Sequence, residues 1–278
     1  MIIDGKKVAS EIYEELKKEV SNLSEKVYLK AILVGNNEDS IRYINQKKKW
    51  AEYLGIDFEL FHYEENFDEQ ELLNKIEWLN DDKKTHGFIV QLPLPKHIDT
   101  AKVINAIKPE KDVDGFTKQN FGKLAIGDSS FLASCTPTGI MTLLEKYNID
   151  VTGKDVVVIG RSNIVGKPLS LMMLNNSATI TTCHSRTKDI SYYTKKADIV
   201  CVAIGKPGFL TLDMINKNTI VIDVGFTVRD GKIYGDADFE TINNNGNMIT
   251  PVPGGVGAMT VAMLMQNTLK AYNIQNEK

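Results

Sequence analysis

Hydrophobic residues in the first hundred positions alternate between helical and strand-like spacing. Apolar residues recur at every fourth position from Val8 to Val20, which predicts an amphipathic helix. The run YLKAILVG predicts a strand, residues 40–54 a helix and DFELFHY a second strand. A helical pattern over residues 69–79 then leads to GFIVQLPLP, whose prolines cannot continue a central strand. This β-α-β-α-β order predicts a mostly parallel sheet covered by helices.

The pattern changes between Lys108 and Cys135, where KPEKDVDGF and GDSSF have the composition of loops. A new helix is expected at TPTGIMTLLEKY, with Thr136 as the N-cap and Pro137 at the first helical position. There follow DVVVIG, a helix from about Gly166, ATITTCHS, a short polar helical stretch, DIVCVAIG and TIVIDVGF. This is the order of a doubly wound nucleotide-binding fold. VRDGKIYG predicts a hairpin, and a glycine-rich loop leads to the last helix.

A chain of 278 residues is long enough for two domains that each bury a core. We predict an α/β protein with an N-terminal α/β substrate domain over residues 1–118. A doubly wound Rossmann-like domain is predicted over residues 119–257. The C-terminal helix, at about 258–278, is expected to pack back on the first domain.

Composition narrows the functional classes. The chain is 42% hydrophobic and 25% charged with a net charge of −3, so it has no polyanion-binding signature, and we expect no nucleic-acid partner. Charges throughout the first twenty residues exclude a secretory signal or a membrane span there, so we expect a cytoplasmic protein with no membrane partner. Cys135, Cys183 and Cys201 are far apart, which predicts reduced thiols and neither a metal site nor a disulfide framework.

Tyr43 and Lys47 in YINQK form the first candidate site. At helical spacing they share one face, so the phenol and the ammonium can point at the same ligand atom. Lys47 also opens a run of three lysines, and on spacing alone a solvated face is the favoured interpretation. Y-x-x-x-K is the catalytic pair of short-chain dehydrogenases as well, but those enzymes place the nucleotide turn before the pair, and here it comes after.

Gln91 and Asp114 are further candidates. Gln91 follows an apolar strand, where side chains face the ligand crevice of a parallel sheet, although a plain strand end before a proline-stiffened loop is equally consistent. In DVDG, Asp112 and Asp114 lack the further acids of a calcium loop. A surface turn is one interpretation. The other is that Asp114, beside a glycine, accepts paired hydrogen bonds from an amidine-like edge.

Two glycine-containing segments resemble ligand loops. PVPGGVGAMT places three glycines immediately before a helix, where backbone can approach a ligand. In GRSNIVGKPLS, Gly160 ends a strand and Gly166 opens a helix. Arg161 and Ser162 occupy the turn where a second glycine usually lets the backbone approach a pyrophosphate.

The same region predicts NADP as the preferred cofactor. NAD sites usually carry an acid about 20 residues after the turn, to hold the ribose 2′-hydroxyl. No carboxylate occurs from Arg161 to Lys188, and the next strand ends in HSRT. Arg161, Ser185 and Arg186 would favour a 2′-phosphate, which an acid would repel.

Eight segments together carry a family resemblance: SIRYINQKKKWAEYLGI, GFIVQLPLP, KDVDGF, CTPTGIMTLL, GRSNIVGKPLS, TTCHSRT, VIDVGF and TPVPGGVGAMT. They span nearly the whole chain, which resembles the bifunctional methylenetetrahydrofolate dehydrogenase/methenyltetrahydrofolate cyclohydrolases. One departure is Ala258, where the family usually has proline after GGVG. This change is expected to loosen the loop before the last helix without abolishing function.

The resemblance implies two domains around a cleft, with the folate pterin toward the N-terminal domain and the nicotinamide entering from the other side. The dehydrogenase step moves a hydride from 5,10-methylenetetrahydrofolate to NADP, and the cyclohydrolase step adds water to give 10-formyltetrahydrofolate. The resemblance also implies a homodimer and a role in one-carbon metabolism that serves purine, histidine and methionine biosynthesis.

The resemblance assigns proton handling to Lys47, with Gln91 orienting it or favouring its neutral form. Tyr43 would line the substrate, and Asp114 would hold the pterin ring NH and exocyclic amine. The full set of implied substrate contacts is Tyr43, Lys47, Val90, Gln91, Leu92, Asp114, Pro251, Pro253, Gly254, Gly255, Val256 and Gly257. The implied cofactor contacts are Gly160, Arg161, Ser162, Gly166, Ser185, Arg186 and Phe226.

Two other functions compete with this one. A monofunctional dehydrogenase would resemble relatives that lack the lysine, and the presence of Lys47 argues against it. A non-catalytic folate-binding or nucleotide-binding module is disfavoured because every polar residue that the chemistry needs is present. The chain lacks the length for a fused formyltetrahydrofolate synthetase domain, so formate activation is not expected.

Overall fold

The computed structural model describes residues 1–128, 130–229 and 231–276. The helices are α1 (Gly5–Ser21), α2 (Glu38–Leu54), α3 (Glu69–Asp81), α4 (Thr100–Asn105), α5 (Lys118–Ala125), α6 (Cys135–Lys146), α7 (Gly166–Asn175), α8 (Ser191–Thr194), α9 (Phe239–Asn244) and α10 (Val256–Asn276). The strands are β1 (Tyr28–Val34), β2 (Asp57–Tyr63), β3 (Gly87–Val90), β4 (Asp155–Ile159), β5 (Thr179–Cys183), β6 (Ile199–Val202), β7 (Ile220–Asp223), β8 (Thr227–Arg229) and β9 (Lys232–Tyr234).

The chain forms two compact units, each with its own parallel sheet. We call residues 12–135 and those from 263 onward the three-stranded unit, and residues 1–11 and 136–262 the four-stranded unit. The transition between Cys135 and Thr136 differs from the boundary expected at 118–119. The reason is that α5 is tied to the preceding loop, since the Asn120 side chain donates to Pro109 O and to Asp112 Oδ2.

In the three-stranded unit the strand order is β2-β1-β3, and both pairings are parallel. The central strand β1 is buried along almost its whole length, as expected for a parallel strand covered on both faces. Ile32 and Val34 of β1 pack in one core with Leu72, Ile76 and Leu79 of α3. Helices α2 and α3 provide the crossover connections that parallel strands require.

In the four-stranded unit the order is β5-β4-β6-β7, again fully parallel. The chain moves from β4 to β5 on one side and then crosses to β6 on the other, so the topological switch point lies between β4 and β6. The predicted doubly wound α/β architecture is confirmed. The hairpin β8–β9 is confirmed too, although Asp230 of its predicted Asp-Gly turn lies outside the described residues.

Three local predictions are corrected. The segment expected to be loop between Lys108 and Cys135 contains α5, an eight-residue helix too short to produce a clear apolar period. Helix α6 begins at Cys135, so Thr136 is not its N-cap but donates to or accepts from Thr260 within the four-stranded unit. Pro137 still lies in the first turn, where backbone N–H groups have no helical partner. Helix α10 begins at Val256, inside the predicted loop.

The C-terminal part of α10 belongs to the three-stranded unit. Gln275 donates from Nε2 to His86 O at 2.6 Å and to Glu110 O at 3.2 Å. These bonds hold the end of α10 against the loops that flank β3 within the three-stranded unit. No helix within the described ranges combines the length and the apolar composition needed to cross a bilayer.

Both tryptophans, Trp50 and Trp78, belong to the three-stranded unit, so intrinsic tryptophan fluorescence reports on this unit alone. Ile76 is fully buried in its core, whereas Ile126 is 81% exposed. We predict that Ile76→Ala lowers the free energy of unfolding by about 2–5 kcal/mol, as cavity-forming substitutions do. The matched change Ile126→Ala should alter it by less than about 0.5 kcal/mol. Urea denaturation followed by tryptophan fluorescence compares them, and equal midpoint shifts would contradict the assigned core.

Candidate active site

Helix α2 presents Tyr43 and Lys47 one turn apart. The helix begins at an N-cap, Asn37, whose side chain accepts from Ser40 N, and ends at Gly55 in the left-handed conformation. Lys47 is only 9% exposed, whereas Lys48 and Lys49 lie in solvent. The solvated-face interpretation favoured by spacing alone is therefore wrong for Lys47, because the helix turns this one lysine of the run inward.

Gln91, the residue after β3, holds the Lys47 ammonium. Lys47 Nζ donates to Gln91 Oε1 at 3.0 Å, and Gln91 Nε2 donates to Leu92 O at 2.8 Å. The second bond fixes the amide orientation, since a flipped amide would turn its own donors toward the ammonium. Because an ammonium has three donors, two of those on Nζ have no protein partner among the described residues.

The two aspartates of DVDG have different environments. Asp112 is 1% exposed, and its carboxylate accepts from the backbone N–H of Gly115, Phe116 and Thr117 and from the Asn120 side chain. Asp112 therefore organises the turn. Asp114 is half-buried, and its carboxylate has no hydrogen-bond partner in the described part of the chain. It is the aspartate of the pair that is available to a ligand.

The electrostatic environment ties Asp114 to Lys47. Burial raises the pKa of the Asp114 carboxyl above its usual value, the charge of Lys47 opposes that rise, and Asp112 adds to it. Burial also raises the pKa of Tyr43, with Asp39 adding to the rise and Arg42 opposing it, so its phenol is neutral at pH 7. The three-stranded unit thus brings Lys47, Gln91 and Asp114 together, and Tyr43 lies one helical turn from Lys47 on α2.

Sequence reasoning missed two residues behind the Asp114 turn. Asn267 of α10 donates from Nδ2 to Val113 O at 2.9 Å and to Ala133 O at 2.8 Å. The Cys135 thiol donates to Val113 O at 3.2 Å, and burial raises its pKa well above the usual range, which keeps the thiol neutral. The available signal for Asn267 was a polar amide in the otherwise apolar run AMLMQNTL.

In the four-stranded unit, Gly160 and Gly166 shape the predicted nucleotide turn. Gly160 has φ 132°, and a Cβ there would lie 2.5 Å from Ala203 O. A Cβ on Gly166 would lie 2.3 Å from Gly160 O, so α7 packs directly against the strand end. Ser162 Oγ accepts from the backbone N–H of Val165 and Gly166. Its oxygen therefore holds the turn in shape.

The charged candidates lie at the same edge of this sheet. The last residues of β4 and β5, Ile159 and Cys183, are register partners, so the segments that follow them are neighbours. Arg161, Ser185 and Arg186 are exposed on those segments. A close-packed glycine cradle beside two guanidinium groups fits a dinucleotide with an additional phosphate on its ribose.

The glycine-rich segment before α10 is also close-packed within the four-stranded unit. A Cβ on Gly5 would lie 2.1 Å from Gly255 O, and Lys6 N donates to Gly254 O at 2.9 Å. Of the predicted folate loop, Val256 and Gly257 form the first turn of α10. Ala258 N donates to Gly255 O at 3.2 Å, a bond that proline cannot form. The alanine therefore forms a backbone bond that proline would lack, and it lacks the fixed φ of proline.

Comparison with known proteins decides the family. The tetrahydrofolate dehydrogenase/cyclohydrolase catalytic domain model matches residues 3–114, and the NAD(P)-binding domain model of that family matches residues 134–276. The chain belongs to the tetrahydrofolate dehydrogenase/cyclohydrolase family. Lys47, Gln91 and Asp114 lie in the part matched by the catalytic domain, and the Gly160 turn lies in the part matched by the NAD(P)-binding domain.

Individual members of the family are similar to this chain over nearly its whole length. The bifunctional protein FolD of Bacillus licheniformis is 52% identical over 274 residues, which cover 97% of this chain and 96% of that protein. The crystal structure of bifunctional FolD from Campylobacter jejuni matches with a TM-score of 0.97 and 46% identity, covering 99% of both chains. FolD of Trypanosoma brucei, solved with NADP cofactor and an inhibitor, matches with a TM-score of 0.93 and 36% identity, covering 99% of this chain and 97% of that one.

Because Asp112 and Asp114 differ in their hydrogen bonds, their substitution should have different effects on the free energy of unfolding. Asp112→Ala leaves several buried donors unpaired and should lower the free energy of unfolding by about 1–3 kcal/mol or more. Asp114→Asn should not lower it at pH 7, because the fold raises the pKa of this carboxyl and so disfavours its charged form.

Ionisation of Asp114 should lower the free energy of unfolding as pH rises. A carboxyl with a raised pKa in the folded state lowers stability as pH rises from its unfolded value, about 3.9, through its folded value. The difference in unfolding free energy between Asp114→Asn and wild type should therefore shift in favour of the variant over that interval. Urea denaturation at several pH values measures it, and a shift toward wild type would contradict the assigned environment.

Proposed function

We propose that this chain oxidises 5,10-methylenetetrahydrofolate with NADP and hydrolyses the resulting 5,10-methenyltetrahydrofolate to 10-formyltetrahydrofolate. One observation carries the proposal: this family member has a buried lysine bonded to Gln91 and, within electrostatic range, an aspartate whose carboxylate has no hydrogen-bond partner in the described residues. This pairing supplies the two functions that the folate chemistry needs. One is a fixed group that handles protons, and the other is a fixed acceptor for the substrate ring.

Asp114 is proposed to bind the pterin. A pterin presents a ring N–H and an exocyclic amine side by side, and a carboxylate can accept from both. Asp112 cannot take this role because its oxygens are already occupied by the turn. Burial raises the pKa of Asp114, and once the substrate is bound these two donors would offset that rise by stabilising the charged carboxylate.

Lys47 is proposed to act in the hydrolytic step. Addition of water to the methenyl carbon forms a C–O bond, breaks one of its two C–N bonds and releases one proton, which has to leave the reacting atoms. A positioned amine or ammonium can accept or donate such a proton through its free donors or lone pair. Gln91 presents its carbonyl oxygen to Nζ, and this supports an orienting role. Tyr43, one turn away on α2, would line the substrate.

NADP, when bound, supplies a nicotinamide ring that accepts a hydride. Gly160 and Gly166 would allow the pyrophosphate to approach the backbone, and Arg161, Ser185 and Arg186 would contact the ribose phosphate. Phe226, 39% exposed just after β7, is a further candidate for this site. The protein's contribution to hydride transfer is then to hold the two rings in reacting geometry.

The alternatives are less well supported. A monofunctional dehydrogenase has no use for a buried lysine held by an amide, and a binding module has no use for proton handling. We also propose a homodimer, since β2 is an edge strand whose second edge has no partner strand among the described residues. The proposed role in one-carbon metabolism would serve purine, histidine and methionine biosynthesis.

The proposed role of Lys47 in hydrolysis can be tested by removing its amine. Lys47→Met should leave the fold intact and reduce hydrolysis of methenyltetrahydrofolate by at least about a hundredfold, within the range of general acid–base contributions. Lys48→Met, a change of the adjacent exposed lysine, should keep wild-type hydrolysis. The loss of methenyl absorbance gives the rate. Wild-type hydrolysis by Lys47→Met would remove Lys47 from the mechanism.

The exposed arginines near the nucleotide turn are expected to determine which cofactor is preferred. Wild type should use NADP with a higher kcat/KM than NAD. Arg161→Ser combined with Arg186→Ser should reduce that preference by roughly ten- to a hundredfold, since a hydrogen bond to a charged group contributes about 1.5–3 kcal/mol. Arg229→Ser, an exposed arginine of β8, serves as the control. Equal kcat/KM for the two cofactors in wild type would refute the preference.

A further inference from the structure

Two buried carboxylates near the carboxyl ends of β6 and β7 have no place in the mechanism above. Asp223 is the last residue of β7 and is 2% exposed, and Asp236, which follows β9, is fully buried. Aspartate is rarely buried to this extent without partners. Both carboxylates accept hydrogen bonds from backbone N–H groups, so the backbone that carries these donors depends on them for its conformation.

Asp236 fixes the loop that follows β6. Its Oδ2 accepts from Ile204 N at 2.6 Å and Gly205 N at 2.9 Å, and its Oδ1 accepts from Lys206 N at 2.6 Å. Three successive backbone N–H groups that converge in this way, with Gly205 in the left-handed conformation, form an anion-binding nest. Here the protein's own carboxylate fills the nest and thereby sets the conformation of residues 204–206.

Asp223 in turn fixes Asp236. Its Oδ1 accepts from Asp236 N and Gly225 N, and its Oδ2 accepts from Ala237 N, each at 2.9 Å. The packing leaves no room for side chains beside the pair, since a Cβ on Gly235 would lie 2.1 Å from Asp223 Oδ2 and one on Gly225 would lie 2.4 Å from Asp236 Cγ. Burial raises the pKa of Asp223 to about 6 against these three donors, with the charge of Asp236 adding to the rise.

The fixed loop lies at the switch point of the four-stranded sheet. In open parallel sheets, ligands bind outside the carboxyl ends of the strands where the strand order reverses, which here is between β4 and β6. The loop begins next to the nucleotide turn, because Ala203 N donates to Ile159 O at 2.9 Å and Ala203 O is the atom that excludes a side chain at Gly160. Gly225, bonded to Asp223, leads directly into Phe226.

We propose that Asp236, anchored by Asp223, is a positioning residue for the nicotinamide cofactor, because it holds the backbone of residues 204–206 in the shape that borders the cofactor crevice. This inference rests on the proposed function. It predicts that loss of the Asp236 acceptors weakens cofactor binding while folate hydrolysis continues, because Lys47, Gln91 and Asp114 belong to the three-stranded unit.

The test uses the full-length protein and two substitutions. Asp236→Ala removes both acceptor oxygens and with them all three hydrogen bonds, and Asp236→Asn can keep the oxygen that serves Ile204 and Gly205 while losing the bond to Lys206. Asp238→Ala is the matched control, since it removes a nearby carboxylate that caps α9 and does not contact the loop. Dissociation constants for NADPH come from fluorescence titration, and hydrolysis of methenyltetrahydrofolate is measured without nucleotide.

Asp236→Ala should raise the NADPH dissociation constant about tenfold, as expected if the binding-competent loop is populated about a tenth of the time. Asp236→Asn should raise it less, Asp238→Ala should leave it unchanged, and hydrolysis should stay within about twofold of wild type in all three. Unchanged NADPH binding in Asp236→Ala would overturn the proposal. The proposal would also be overturned if NADPH binding and hydrolysis fell together in proportion to a fall in melting temperature, because both losses would then reflect reduced stability. If Asp236→Ala does not fold, Asp236→Asn decides by the same criteria. Absence of both activities in wild type would instead refute the proposed function.

Discussion

Parallel strand pairing determines where the loops that carry the candidate site residues lie. A parallel strand cannot be joined to its neighbour by a tight turn, so a crossover connects each strand of the two parallel sheets to the next one, and the loops that follow the strands gather at the carboxyl edge of the sheet. Gln91 follows β3 at that edge of one sheet, while Gly160, Ser185 and the Asp236-bound loop follow β4, β5 and β6 at that edge of the other. In the first sheet β1 lies between β2 and β3, and in the second β4 lies between β5 and β6. The strand order therefore reverses at one point in each sheet, and this point is the topological switch point.

Buried charge distinguishes the functional residues from the structural ones. Asp112 and Asp236 are buried carboxylates whose oxygens are occupied by protein donors, and each fixes the backbone of a loop. Among the residues that the structure describes, Asp114 is desolvated without such donors, and Lys47 has one hydrogen-bond partner for its three donors. A fold that leaves these two groups under-satisfied is arranged for a ligand that completes their hydrogen bonds.

Much of this could be predicted from the sequence because the signals were local. The helix α2, the strands β1 to β7 and the hairpin follow from apolar period and turn residues, and the order of elements gives the doubly wound sheet. The burial of Lys47 could not be predicted from spacing, since three consecutive lysines differ only in the direction in which the helix turns them. The roles of Asn267, Asp223 and Asp236 depend on bonds to residues distant in sequence, and α5 is too short to carry a period.

One chain is proposed to perform two successive reactions on a folate held by Asp114 and Lys47. The most direct measurement follows the absorbance of NADPH and of methenyltetrahydrofolate together, after purified protein is mixed with methylenetetrahydrofolate and NADP. The account predicts that NADPH forms while the methenyl compound is consumed as 10-formyltetrahydrofolate appears. A protein that forms no NADPH, or that accumulates methenyltetrahydrofolate in step with NADPH and leaves it to hydrolyse at the uncatalysed rate, would contradict the account.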